Sequence, residues 1–131
     1  MAYIGTIINE SPVVALTAAA DITTCAFLAV KQGASGVTIA GVGDVPVGIM
    51  LPEQENIESG DTVSVQIKDV CRWTASAAIA AGAAVAAAAD GKCRTAAEGD
   101  FIMGFALEAA TASGAPIFVQ ITKSGYVPAS E

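Results

Sequence analysis

The chain has 131 residues, 53% hydrophobic and 15% charged, with six bases, thirteen acids and no histidine. A net charge of −7 with scattered bases excludes a nucleic-acid surface, and the missing histidine removes Ser-His and Cys-His catalysis and the usual zinc sets. This length allows one domain with an adequate core, yet much of the apolar content is alanine, which leaves apolar surface for a partner or for copies of the chain to cover.

Residues 1–12 form an expected extended arm carrying Tyr3, Ile4, Ile7 and Ile8. That apolar set is either an ordinary first strand or a segment that lies on another molecule. The start lacks the basic residues and continuous apolar run of a secretion signal. A single β domain is expected over 13–123, with 17–21 a loop or one helical turn. Gly41-Val42-Gly43-Asp44 contains a GxG, but a dinucleotide fingerprint needs a third glycine, and Pro46 opposes the helix that should open there. Glu53, Glu55, Glu58 and Asp61 crowd one loop without the spacing of a calcium-binding loop, so a solvated acidic loop is the reading.

Residues 62–68 alternate, placing Val63, Val65 and Ile67 on one face of a strand. Arg72-Trp73 follows; the single tryptophan is either core or an anchor for a partner. The alanine-rich stretch 74–89 is too short and too interrupted to span a membrane. It is expected to be a loop or helical turn through Ala78, then a strand from about Ala83, because Asp90-Gly91 signals a hairpin. Ile117, Val119 and Ile121 repeat the alternation, with Pro116 at a strand start or edge. Phe118 falls on the opposite face, covered by another element or held in a subunit contact, the latter favoured. Residues 124–131 read as a tail. Cys25, Cys71 and Cys93 are odd in number and lack a CxxC spacing. They read as buried small residues in a reducing compartment, the alternative being an accidental or intermolecular disulfide. No catalytic, cofactor-binding or metal-binding residue is expected, which sets an enzyme aside.

The chain repeats itself. Gly43-Asp44, Gly48 and Leu51 recur at the same offsets as Gly99-Asp100, Gly104 and Leu107. Ser59-Gly60 leading to Val65-Gln66-Ile67 recurs as Ser113-Gly114 leading to Val119-Gln120-Ile121. Two pseudo-repeats, about 24–68 and 80–122, each run strand, turn, strand, link, strand, loop, strand. The expected fold is mainly β with little helix, a pseudo-symmetric small β-barrel or sandwich. The duplication also accounts for the GxG segment as a recurring turn.

The succession of residues 14–23, then Phe27-Leu28-Ala29-Val30-Lys31, Gly43-Asp44-Val45-Pro46-Val47-Gly48, Asp90-Gly91-Lys92 and Gly104-Phe105-Ala106-Leu107 resembles the small phage capsid cement, or head decoration, proteins. The likeness covers about 13–122, and order and spacing carry it. Cys25 departs from the pattern, which usually has glycine in that turn. The resemblance implies a β-rich protein on the outer surface of the assembled head, partnered by the major capsid protein and by itself, as a homotrimer, without cofactor, nucleic acid or membrane. It further implies a virion location after synthesis in the bacterial host cytoplasm. The alternatives are another phage structural component, such as a tail or connector protein, or a small ligand- or carbohydrate-binding β module using Trp73, Tyr3 and Tyr126. The possible contact residues are Tyr3, Ile4, Ile7, Ile8, Trp73 and Phe118.

Overall fold

A computed structural model describes residues 11–23, 27–52 and 56–128. Ten strands follow one another: β1 Val13–Thr17, β2 Leu28–Gly33, β3 Gly36–Ile39, β4 Gly48–Met50, β5 Thr62–Gln66, β6 Asp69–Thr74, β7 Ala84–Ala87, β8 Cys93–Thr95, β9 Phe101–Ala106 and β10 Pro116–Tyr126. The one helical element among the described residues is a single 3₁₀ turn, Ala89–Gly91, at the tip of the β7–β8 hairpin. Asp90 and Gly91 take the positive φ this turn requires.

The duplication seen in the sequence is complete at the level of topology. The first sheet is ordered β1-β5-β4-β2-β3 and the second β6-β10-β9-β7-β8, so each strand has its counterpart five strands later. All ladders are antiparallel. One parallel bridge, Ala18 with Val37 in unit 1 and Ala75 with Cys93 in unit 2, draws each sheet's two edges together at a point. Each sheet is therefore curled without closing, and the sandwich expectation holds over the closed barrel.

Gly48 and Gly104 explain why one glycine recurs in both copies. A Cβ at Gly48 would collide with the Gln66 carbonyl, and one at Gly104 with the Gln120 carbonyl. The fourth and last strands of each unit approach too closely for any side chain there. The recurring Gly-Asp pair is a turn device. Asp44 Oδ2 accepts the Gly41 N–H at 2.8 Å, and Asp100 Oδ2 accepts the Ala97 N–H at 2.9 Å.

Two cores result. One lies inside unit 1 alone, from Leu28, Val30, Val37, Met50, Val63 and Val65 with Ala18, Ile22 and Ile57 closing it. The other holds Trp73, Val85, Met103, Ile117, Val119 and Ile121 of unit 2 together with Ala29, Ala40 and Ile49 from the opposite face of the first sheet. The Gly91 N–H donates to the Ala40 carbonyl (2.8 Å), the Thr74 N–H to Phe27 (3.1 Å) and Lys123 Nζ to Val47 (2.8 Å), fastening the units together.

Several boundaries differ from the sequence expectation. Each unit begins one strand earlier than expected, at β1 and β6. Residues 124–126 are not tail: β10 runs to Tyr126, bulging at Lys123 and Gly125, which both have positive φ, before it rejoins β9. Most of the N-terminal arm, residues 1–10, lies outside the described residues, as do Cys25, Glu53 and Glu55. Cys71 and Cys93 are free and buried, and burial pushes their thiols up to about 11 and about 12.

Candidate contact surface

Alternation in β6 and β10 turns Cys71, Trp73, Ile117, Val119 and Ile121 inward and leaves Val70, Arg72, Phe118 and Gln120 outside. Phe118 stands directly opposite Arg72 in the ladder. The Arg72 guanidinium lies 4.0 Å from the Phe118 ring centre, a cation–π stack. Arg72 Nη1 also donates to the Pro116 carbonyl at 3.1 Å and sits 3.8 Å from Glu108 Oε1. The same Glu108 oxygen accepts the Phe118 N–H at 3.0 Å. Val70 and Leu107 are exposed around this cluster, and Phe105 is half-buried beside Gln120. Farther along β10, exposed Tyr126 meets Phe101 edge to face at 5.4 Å.

This face is apolar, aromatic and locally charge-balanced. Its one cation is held over a ring and its carboxylate is tied to the backbone. Such a surface suits docking, where aromatic and arginine side chains act as anchors. It offers no nucleophile with a base beside it. A cleft of about 470 Å³ between the units is lined by Asp21, Ile22, Thr23, Leu28, Ile39, Thr74, Asp90 and Lys92. Asp21 is already engaged there, accepting the Ser59 N–H at 2.8 Å. Among the described residues no group of His, Cys, Asp or Glu could hold a metal ion, and no helix is long and apolar enough to cross a membrane.

Of the residues singled out from the sequence, Phe118 lies on this surface, 39% exposed. Trp73 does not. It has no exposed area, and its indole N–H donates to the Gly91 carbonyl at 2.8 Å, so the core alternative holds and the partner-anchor alternative is corrected. Its burial also withdraws Trp73 from any aromatic platform for a sugar, while Tyr126 stays exposed. Tyr3, Ile4, Ile7 and Ile8 lie outside the described residues. Sequence reasoning missed Val70, Arg72 and Leu107. The signal was the register: once β6 and β10 pair, the parity that buries Trp73 sends Arg72 out beside Phe118.

The chain is similar in fold to the crystal structure of the N base of head fiber gp8.5 in bacteriophage phi29, with a TM-score of 0.66 and 19% identity over 86% of this chain and 97% of that one. No curated protein matches it. Residues 8–121 match the family model for phage cement proteins. That match marks a structural protein associated with phage capsids. The chain belongs to the phage cement protein family.

Proposed function

We propose that this protein decorates the outer surface of an assembled phage head, binds the major capsid protein there as a homotrimer, and stabilises the shell without catalysing a reaction. The family match over residues 8–121 carries the reading. The physical character of the subunit supports it. Only 15% of its residues are charged, so burying its faces costs little desolvation. Contacts of modest strength, repeated by the symmetry of a shell, add up to firm attachment through avidity. The protein is made in the host cytoplasm and acts in the virion.

Purified protein added to expanded shells that lack decoration should bind them in a saturable ratio and raise their melting temperature. Failure to bind, or binding with no change in shell melting, would sink the cementing role. Substitution Phe118→Ala together with Arg72→Ala tests whether the stacked pair contributes to attachment.

A further inference from the structure

The two units are copies, yet the contact between them is not symmetric. The register makes Ala29, Ala40, Ile49 and Leu51 of unit 1 equivalent to Ala84, Ala96, Phe105 and Leu107 of unit 2. Ala29 faces Ile49 across the ladder as Ala84 faces Phe105. The Ala40 N–H donates to Ala29 as Ala96 does to Ala84, and the Leu51 N–H donates to Ser64 as Leu107 does to Phe118. In unit 1 this outer face is buried against the second core: Ala29, Ala40 and Ile49 have no exposed area, and Leu51 packs on the same core. In unit 2 the same face stays open, with Ala84, Ala96 and Phe105 half-buried and Leu107 51% exposed.

The receiving side shows the converse. Cys71, Trp73, Met103 and Ile121 of unit 2 are buried in the core that the outer face of unit 1 completes. Their counterparts Val14, Leu16, Val47 and Ile67 are only half-buried at the margin of the unit 1 core. Each chain therefore carries one used copy of a face and its receptacle, and one unused copy of each. A head-to-tail contact has this property; a two-fold contact does not. All four positions of the open face are apolar, as they are where the contact is made, so its complement is already specified by the chain itself.

We propose that a second copy of this chain occupies the open face. The Ala84, Ala96, Phe105 and Leu107 face of one molecule seats on Val14, Leu16, Val47 and Ile67 of the next, repeating between chains the contact made within each. This inference rests on the reading that the protein acts as a homo-oligomer. Three chains joined in this way place six units in one ring and leave no face unused.

Sedimentation of the full-length protein, with folding checked by circular dichroism, tests it through two variants. Leu107→Asp spoils the face and Leu16→Asp the receptacle, with Ile67→Gln replacing the latter if it does not fold. Each variant alone should be monomeric, its dissociation constant raised about 100-fold or more. An equimolar mixture should form a one-to-one heterodimer, because one intact face and one intact receptacle remain. A wild-type protein that is monomeric at all concentrations would defeat the oligomer reading and this inference with it. Variants that stay oligomeric, or monomers that do not combine on mixing, would overturn the head-to-tail contact and leave the oligomer reading standing. If Leu107→Asp keeps its oligomer but loses shell binding, the face belongs to the shell and the inference is wrong.

Discussion

The indole nitrogen of Trp73 donates to the carbonyl of Gly91, 2.8 Å away, and the amide of the same glycine donates to Ala40 in the other unit. One peptide segment thus ties the core of unit 2 to the face of unit 1. Gly91 takes a positive φ and has Ala29 O and Leu28 Cβ at 3.0 Å from where a Cβ would stand, so no other residue fits well there.

Trp73→Phe should cost about 1–3 kcal/mol, mostly from leaving a buried carbonyl without its donor. Trp73→Ala should cost about 3–5 kcal/mol through the cavity it leaves. Urea unfolding checks both values. No loss in Trp73→Phe would mean that the hydrogen bond contributes nothing, and equal losses for the two variants would mean that the cavity adds nothing to it.

The glycines separate into two classes by what surrounds them. Gly48→Ala and Gly104→Ala should each destabilise by more than about 3 kcal/mol, because the colliding atoms are backbone and cannot swing aside. Gly41→Ala, with no positive φ and only Asp44 Oδ2 at 3.6 Å, should change stability by under about 1 kcal/mol. Thermal melts of the three variants check the ordering.

Asp44 and Asp100 occupy equivalent turns but differ in burial. The Gly41 N–H, and then Lys31 at 3.1 Å, hold the Asp44 carboxyl below its usual 3.8. Its contribution to stability is therefore present above pH 3.8 and is lost as pH falls through the lower, folded value. Carbon-13 NMR titration should place its midpoint below 3.8, and Lys31→Met should move that midpoint upward. Asp100 is 5% exposed, with both carboxylate oxygens on Arg94 at 2.8 and 2.9 Å. Asp100→Ala should cost about 2–4 kcal/mol, against under about 1 kcal/mol for Asp44→Ala.

The two described cysteines should be inert in the native protein. Thiols pushed up to about 11 and about 12 carry almost no thiolate at pH 8. In a Cys25→Ser background, a disulfide exchange reagent should therefore label neither Cys71 nor Cys93 until denaturant is added. Rapid native labelling would contradict their burial.

Much of the architecture was legible because the duplicated positions are the ones geometry cannot vary. Gly48 and Gly104 are fixed by close approach, Asp44 and Asp100 by a turn, and the Val-Gln-Ile runs by alternation. The first strand of each unit was not legible. Residues 13–17 and 70–74 share only their terminal Val and Thr, since β1 and β6 are defined by pairing with a strand some fifty residues away. The end of β10 was missed for a local reason: Ser124-Gly125 resembles a terminus, while the bulge that returns the strand to β9 depends on Ile102 and Phe101. The contact surface was half visible. Phe118 stood out by parity, whereas the Arg72 stack needed the register between strands.

Cation placement shows how the copies have diverged. Lys31 reaches Asp44 from β2, while Arg94 reaches Asp100 from β8. Lys31 lies opposite Thr38 and Arg94 opposite Ala86, so the charge has moved to the other leg of the hairpin.

The unequal ownership of the two cores predicts an order of assembly during synthesis. Unit 1 closes its own core without a residue from unit 2, and it leaves the ribosome first. Unit 2 cannot complete its core until Ala29, Ala40 and Ile49 are already in place. The first half of the nascent chain should thus serve as the template on which the second half condenses.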